Sequence, residues 1–325
     1  MSTEQEHRRA LFLLLLCGVF WSTAGVLIKL IDWNPGAIWS ARCAIAAVLL
    51  YAIKRPSFAN ITRAEWGAAA ALAATTGLFI LANKLTTPAN AILIQYSAPI
   101  WVALLGTWFL ASPRYAGRAD GDDTGGERAS RLDWVAIVLV LCGITLFFFD
   151  QLSFDHVAGN LVALAAGVSF AFGAMTMRMV GRTPGSDPIR PLLLGNLMGA
   201  VLGAPFWAAS DLPDATAWGA LLALGLVQQA AAYFCYAAAV RHATAIEVML
   251  IPVVEPILSP LWVAIAFAEW PSRWALVGGT IVVGAVTLRA VLARSQSTLS
   301  RPSPAGPPSD AISSEDGVDG GASST

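Results

Sequence analysis

The chain has 325 residues, of which 56% are hydrophobic and 13% are charged, and its formal net charge is −1. Soluble domains carry roughly 25% charged residues, and a soluble protein could not hide this much apolar surface. The composition therefore excludes a soluble domain, and we expect no nucleic-acid partner.

Long apolar stretches recur along the whole chain. A helix needs roughly 18 to 25 apolar residues to cross the hydrocarbon of a bilayer. The first such stretch follows His7, Arg8 and Arg9 and lacks a cleavage site of small residues, so we interpret it as a retained span rather than a signal peptide. The sequence predicts an all-α polytopic membrane protein with ten transmembrane helices, near 10–31, 35–53, 65–82, 89–111, 132–150, 158–179, 190–209, 217–238, 244–267 and 273–293.

Basic residues fall almost entirely on one side of the predicted membrane. With the N-terminus inside, sixteen lysines and arginines lie in cytoplasmic segments, against Lys29, Lys84 and Arg273 on the other side. This distribution follows the positive-inside rule. We therefore expect a multi-pass protein of the plasma membrane, the inner membrane of the cell, with both termini in the cytoplasm.

Two segments lie outside the predicted membrane body. Residues 112–131 are rich in glycine and charge and should form a flexible cytoplasmic loop, and residues 295–325 hold scarcely an apolar side chain and should be disordered. The predicted organisation is a cytoplasmic N-terminus at 1–9, a first five-helix repeat at 10–150, a second at 158–293, and the tail.

Internal similarity divides the ten spans into two groups of five. Three pairs of stretches are similar between the two groups. In one pair GVFWSTAGVLIK aligns without gaps with GVSFAFGAMTMR, and in another Pro99 lies opposite Pro256. Five is an odd number, so the two units must insert with opposite orientation, and the binding site of such inverted repeats lies near the midplane between them. The aligned stretches are 18–29 with 167–178, 64–72 with 216–224, and 90–100 with 247–257.

These residues also carry a family resemblance. FWSTAGVLIK, Arg42, the proline of YSAPIWVALLG and the stretch VVEPILSPLWVAIAFAEWPSRWALVGGTIVVGAV resemble the EamA-type ten-helix members of the drug/metabolite transporter superfamily, over about residues 10–293. The resemblance implies two five-helix bundles around a central cavity and the export of small metabolites, often amino acids. It also implies a glutamate at the end of each repeat's fourth helix. Glu269 fits that position, whereas the first repeat has Ser112.

The predicted ninth span contains a carboxylate and three prolines. Glu255 lies near its middle, and an ionisable side chain at that depth normally faces a cavity or a partner. The prolines each remove an amide donor, and a broken backbone survives in lipid only against protein or water. We expect a discontinuous helix beside the transport path, with helix breaks at Pro252, Pro256 and Pro260 and, in the fourth span, at Pro99.

Other polar and aromatic side chains near mid-depth complete the predicted binding set. Arg42 would anchor a substrate carboxylate or form a salt bridge with Glu255; both readings are open. Amides and phenols can bind a zwitterion, but they can equally make hydrogen bonds between helices. The remaining candidates for substrate binding and translocation are Trp21, Gln95, Tyr96, Gln228 and Tyr233.

The seventh span carries two overlapping GxxxG steps. Gly195, Gly199 and Gly203 allow close helix approach. We expect this contact inside the monomer, with a homodimer seam as the alternative.

The chain lacks the motifs of the common enzyme classes. It has no HExxH, GxSxG or Walker A pattern in a plausible context, so we expect no enzyme, no cofactor and no metal site. The leading hypothesis is a secondary active transporter that exports amino acids or related small polar metabolites by alternating access, with proton coupling through Glu255. Two alternatives are open: an importer of a nucleoside-like or other metabolite, and a non-transporting scaffold or receptor.

Overall fold

The computed structural model describes residues 3–86, 88–110, 130–147, 149, 156–208, 211–267 and 272–299. Glu269, almost all of the predicted loop 112–131 and the tail from residue 300 lie outside these ranges. Contacts divide the chain into a body, Met1–Arg289, and a second unit, Ala290–Thr325. Of the second unit the structure describes only a helical stretch that ends at Leu299, past residue 295 where the sequence predicts disorder to begin.

All regular structure in these ranges is helical. A 3₁₀ helix at Ala204–Trp207, a π-helix at Leu224–Ala231 and a 3₁₀ helix at Ile251–Val253 interrupt or extend the α-helices. The α-helices are α1 Thr3–Ser22, α2 Ala24–Lys29, α3 Pro35–Lys54, α4 Arg63–Leu85, α5 Pro88–Gln95, α6 Ala98–Leu110, α7 Arg131–Phe147, α8 Val157–Arg182, α9 Ile189–Gly203, α10 Ala215–Ala223, α11 Ala232–Ala239, α12 Ala245–Leu250, α13 Val254–Phe267 and α14 Arg273–Leu299.

Seven of the described helical stretches are both long enough and apolar enough to cross a membrane. Three predicted spans are not among these seven stretches. Span 89–111 contains α5 and α6, span 132–150 contains α7, and span 273–293 contains α14. Within the described residues none of these helices meets both conditions. The all-α polytopic membrane fold is thus confirmed, while ten crossings stay a prediction. The seven stretches are Glu4–Ile28, Pro35–Lys54, Arg63–Ala82, Val157–Arg182, Ile189–Trp207, Ala215–Ala239 and Ala245–Ala266.

Side-chain caps define where several of these helices begin. Thr62 and Glu65 form a reciprocal capping box at the start of α4, and Thr244 and Glu247 form another at the start of α12. Each box satisfies amide donors that have no partner inside the helix. Both glutamates are buried, so the caps also bring carboxylates into the protein interior.

The glycine stripe on α9 packs against other helices of the same chain. A Cβ on Gly195 would lie 2.8 Å from the carbonyl oxygen of Ala69 on α4, and one on Gly203 would lie 2.8 Å from that of Gly36 on α3. Gly199 likewise faces α3. The stripe therefore serves contacts inside the monomer, as expected, rather than a homodimer seam.

A separate pair of glycines, one in each repeat, shows the relation between the two repeats. A Cβ on Gly18 of α1 would lie 3.1 Å from the carbonyl oxygen of Pro252, and one on Gly167 of α8 would lie 3.0 Å from that of Gln95. In the repeat alignment Gly18 corresponds to Gly167, and Pro252 corresponds to Gln95. The same contact therefore occurs twice with the halves exchanged: the first helix of each repeat packs on the fourth helix of the other.

Candidate functional site

Two discontinuous helices form the centre of the candidate site. In the first repeat α5 ends at Gln95 and α6 begins at Ala98; in the second, the 3₁₀ turn Ile251–Val253 separates α12 from α13. Such breaks leave backbone groups without partners inside their own helix. In a membrane protein they are tolerated where they face protein or water rather than lipid.

The two breaks meet through one side-chain hydrogen bond. The Tyr96 hydroxyl, in the break of the first repeat, donates to Oε2 of Glu255 at 2.8 Å. The same hydroxyl lies 3.5 Å from the carbonyl oxygen of Pro252, inside the other break. The structure therefore brings together the residues that the sequence predicts at the two symmetry-related positions.

The prolines lie at different points relative to these breaks. Pro252 is inside the 3₁₀ turn, whereas Pro99 and Pro256 lie in the first turns of α6 and α13, where a missing amide costs little. Helix α13 continues through Pro260 to Phe267. The breaks thus precede Pro99 and Pro256, and none falls at Pro260.

Arg42 has no acid partner in the described part of the chain. It lies on α3 with 6% of its surface exposed, and its Nε atom is buried without a hydrogen-bond partner. It is near enough to Glu255 to act on it electrostatically, yet the two form no salt bridge among the described ion pairs. A buried charge without an acid partner is costly, so this guanidinium can receive an anionic group of a ligand.

The two adjacent glutamines of the eighth predicted span have different surroundings. The Gln229 amide donates to Oδ1 of Asn196, whose own amide donates to the carbonyl oxygen of Leu192 at 2.8 Å. Gln229 therefore belongs to a network between helices. Sequence reasoning missed Asn196, although an amide inside a predicted span is itself a signal of such a network.

Among the described residues Gln228 makes no such contact. Its Oε1 atom is buried without a hydrogen-bond partner, as is Oε1 of Gln95. Both glutamines at 228 and 229 lie in the π-helix Leu224–Ala231, a geometry that occurs frequently at functional sites. Two buried acceptor atoms that lack a donor can accept hydrogen bonds from a polar ligand.

Aromatic rings surround Trp21. Its ring centroid lies 6.2 Å from that of Phe170, 6.5 Å from that of Tyr233 and 6.0 Å from that of Tyr236. Trp21 and Phe170 occupy equivalent positions of the two repeats. The contact between them therefore lies where the two repeats meet, and its edge-on geometry is the one that aromatic pairs prefer.

Buried charges also form a separate set. Glu247 lies near the end of a predicted span, where extension of the side chain to the membrane surface is the default expectation, but this expectation is wrong: Glu247 is 4% exposed and pairs with Arg289 at 2.8 Å. Arg289 also contacts Asp133 at 3.0 Å. Lys84 also lies near the end of a predicted span, and its side chain is outside the described part of the structure.

Among the described residues no group of three or more histidine, cysteine, aspartate or glutamate side chains has the arrangement of a metal site. The candidate groups are instead one guanidinium without a described acid partner, one carboxylate held by a phenol, two unpaired amide oxygens and an aromatic cluster. Groups of these kinds suit a small molecule that carries both charged and apolar parts.

Comparisons with known proteins identify the family of this chain. The profile of the EamA-like transporter family matches residues 8–114 and 157–290. An uncharacterized transporter of Bacillus subtilis (strain 168), YwfM, is 27% identical over 274 residues, which cover 80% of this chain and 87% of the relative. A crystal structure of a protein that is 19% identical shares the fold with a TM-score of 0.71, over 88% of this chain and 98% of that one. The chain belongs to the EamA-like transporter family.

Proposed function

We propose that this protein is a secondary active transporter that moves small polar metabolites by alternating access between its two repeats. Its family supports transport across a membrane. The observation that carries the mechanism is the hydrogen bond from Tyr96 to Glu255, which joins the two broken helices. Rocking of one repeat against the other would have to change this contact.

The unpaired polar groups support amino acids or related compounds as substrates. A carboxylate would bind the buried guanidinium of Arg42, because charge-assisted hydrogen bonds to carboxylates are strong. An ammonium group would interact with Glu255 and with the unpaired amide oxygens of Gln95 and Gln228. The rings around Trp21 would form an apolar wall beside the substrate side chain.

Glu255 supports coupling to protons. It is the ionisable carboxylate at the contact between the broken helices, and binding or release of one proton changes the net charge that faces Arg42. Ionisable groups at such positions commonly act in proton relays of transporters. We propose efflux through the plasma membrane with both termini cytoplasmic, which the distribution of basic residues supports.

The test is uptake of a pooled metabolite extract into proteoliposomes under an imposed pH gradient, read by mass spectrometry. Wild type and Glu255→Gln are compared, with Glu4→Gln as the matched control because the Glu4–Arg8 pair is exposed. We expect amino acids to accumulate with wild type and Glu4→Gln and to fail to accumulate with Glu255→Gln. Accumulation of a nucleoside-like solute instead would overturn the substrate class.

Two other results would contradict parts of the proposal. If Glu255→Gln concentrates the solute as well as wild type does under the pH gradient, this carboxylate is not the coupling site. If folded wild-type protein moves no solute above empty liposomes, the transport function fails and a scaffold or receptor is favoured.

A further inference from the structure

The ion pairs that join the two repeats lie at one end of the helical body. In every such pair that the structure describes, the residue from the first repeat lies near the start of α1, α4 or α7. The residue from the second repeat lies near the start of α9 or α12, or late in α14. We call this the charged end. Its pairs between repeats are Glu65–Arg190, Asp133–Arg289, His7–Glu247 and Glu6–His242, the last two being ionic only when the histidine is protonated.

Arg289 is the centre of one of these clusters. Its Nε atom donates to Oδ1 of Asp133 at 3.0 Å, and its Nη1 atom donates to Oε1 of Glu247 at 2.8 Å. All three residues are less than one tenth exposed. The guanidinium therefore holds α7 of the first repeat against α12 and α14 of the second.

A second pair at the same end joins a buried carboxylate, Glu65, to a partly exposed arginine, Arg190. The Nε and Nη2 atoms of Arg190 both lie 2.7 Å from Oε1 of Glu65, and its Nη1 atom donates to the carbonyl oxygens of Ser57 and Ala59. This arginine ties α9 of the second repeat to α4 and to the preceding loop of the first. Two independent arginines, of which Arg289 is buried and Arg190 is partly exposed, thus connect the two repeats at the charged end.

The opposite end has contacts of another kind. There Trp33 packs on Trp207 and Trp218, with ring centroids 5.1 Å and 6.3 Å apart, and Thr86 donates to Asn160 at 2.8 Å. None of the ion pairs between repeats in the described ranges lies at this end. The two ends of an inverted repeat are related by its symmetry, so this difference in charge comes from the sequences of the repeats and distinguishes the two ends.

The cluster at Arg289 is connected to the broken helix. Glu247 lies in the first turn of α12, which leads directly into the 3₁₀ turn and then to Glu255. Eight residues at a helical rise span about 12 Å. Movement of α12 away from α7 at the charged end would therefore also move the backbone that positions Glu255.

Buried ion pairs suit a contact that must open. The free energy lost when two charges leave water nearly equals the free energy gained from their attraction, so such pairs add little net stability. They nevertheless fix one arrangement of the neighbouring helices. When water enters, each charge regains its hydration. A charged contact between repeats can consequently alternate between a closed dry state and an open hydrated state, as a two-state gate requires.

We propose that Arg289, together with Asp133 and Glu247, locks a gate at the charged end, and that the described conformation is the one in which this gate is closed. The lock must release in each transport cycle for solute to reach the central site from this side. This proposal rests on the proposed transport function, but the state of the lock can be measured without a substrate.

Cys17 provides a native probe of the gate. It lies on α1, is fully buried, and follows His7 of the charged end by ten residues, about 15 Å along the helix. We would label full-length protein in lipid nanodiscs with a hydrophilic maleimide and measure modification of each cysteine by peptide mass spectrometry. Arg289→Gln should raise the labelling rate of Cys17 about tenfold, because local opening exposes it more often.

Three comparisons make this result specific. Arg289→Lys, which keeps the positive charge, should restore most of the protection, and Arg8→Gln, which breaks an exposed pair, should label like wild type. Hydrogen exchange at the start of α3, at the opposite end, should be unchanged in Arg289→Gln. If it rises there as well, the variant is unfolding globally and the lock is refuted as a local gate.

The remaining outcomes separate the two proposals. Unchanged labelling of Cys17 in folded Arg289→Gln overturns the lock, whatever the flux assay shows. Faster labelling of Cys17 in an Arg289→Gln protein, when wild type moves no solute, supports opening at the charged end. That result overturns the proposed transport function but not the lock. To exclude damage from unpaired carboxylates, the variant Asp133→Asn/Glu247→Gln/Arg289→Gln should give the same labelling of Cys17 as Arg289→Gln.

Discussion

The phenol of Tyr96 donates its hydrogen bond to a carboxylate, Glu255, that is 159 residues away in the chain and belongs to the other repeat. Each residue lies at or directly after the break of its helix. The contact therefore links the two discontinuous helices, and such helices typically form the binding site of inverted-repeat transporters. It also leaves one oxygen of Glu255 without a described hydrogen-bond partner.

Replacing the phenol of Tyr96 tests whether this link couples the repeats. We expect Tyr96→Phe to fold with a loss of about 1 kcal/mol, the usual net value of one hydrogen bond. Its concentrative uptake under a pH gradient should fall about fivefold, since 1.4 kcal/mol corresponds to a tenfold change in an equilibrium and about 1 kcal/mol to a fivefold change. Thermal unfolding and proteoliposome uptake measure the two effects.

Tyr51→Phe is the matched control for this substitution. Tyr51 is half exposed near the end of α3, and its ring stacks on Phe58. It should match wild type in both measurements. Equal uptake by Tyr96→Phe and wild type would show that the phenol does not take part in coupling.

Arg42 should affect substrate choice more than stability. With no acid partner among the described residues, its replacement by Lys breaks no described salt bridge, but a lysine cannot bind a carboxylate through two parallel hydrogen bonds. We expect Arg42→Lys to bind carboxylate-bearing solutes about tenfold more weakly and neutral analogues as before. Competition of unlabelled solutes against uptake measures this.

The stability of an Arg42 variant provides the independent check. A buried charge without an acid partner is costly to remove from water, so Arg42→Met should unfold at or above the wild-type temperature. A uniform loss of folded protein would instead indicate that Arg42 has a structural partner, and the substrate role would then be unsupported.

The adjacent glutamines 228 and 229 should separate folding from function. Gln229→Ala removes the donor to Asn196 and leaves a buried amide unsatisfied, which costs about 1 to 3 kcal/mol. Gln228→Leu removes an acceptor that has no partner, so its stability should equal or exceed that of wild type while its solute uptake falls. Thermal unfolding and solute uptake are measured for both variants. A loss of stability in Gln228→Leu together with a loss of uptake only in Gln229→Ala would contradict this assignment.

Much of the fold could be predicted because hydropathy reports depth in the membrane. The apolar lengths, the repeat and the proline-rich stretch around Glu255 indicated a polytopic helical protein with a discontinuous helix, and the fold bears this out. Capping boxes at Thr62 and Thr244 are likewise local signals, because the cap and the glutamate are three residues apart.

Partners across the bundle could not be predicted in the same way. Hydropathy gives the depth of Arg42 and Glu255 but not which neighbour each side chain faces, so a salt bridge between them was as reasonable as the contact with Tyr96 that the structure has. The triad of Arg289 joins residues 42 and 156 positions away. The π-helix at Leu224–Ala231 also depends on packing, since Gly225 lies directly against Ile45 of α3.

The paired glycines of the two repeats give the last prediction. A Cβ on Gly18 would lie 2.7 Å from Cγ1 of Val254, and one on Gly167 would lie 3.0 Å from the carbonyl oxygen of Gln95. These contacts are too close for a methyl group, and overpacking costs about 1 to 3 kcal/mol. Gly18→Ala and Gly167→Ala should therefore each lower the thermal midpoint, and because each presses on the broken helix of the other repeat, each should also slow uptake.

Gly219→Ala is the matched control for these two variants. Nothing lies within 4 Å of a Cβ at Gly219, which is inside helix α10. Alanine is favoured over glycine in a helix by about 0.5 to 1 kcal/mol, so this variant should unfold at or above the wild-type temperature and transport normally. If Gly18→Ala alone is impaired while Gly167→Ala behaves like Gly219→Ala, the two contacts are not functionally equivalent, and only the second repeat's broken helix is sensitive to its neighbour.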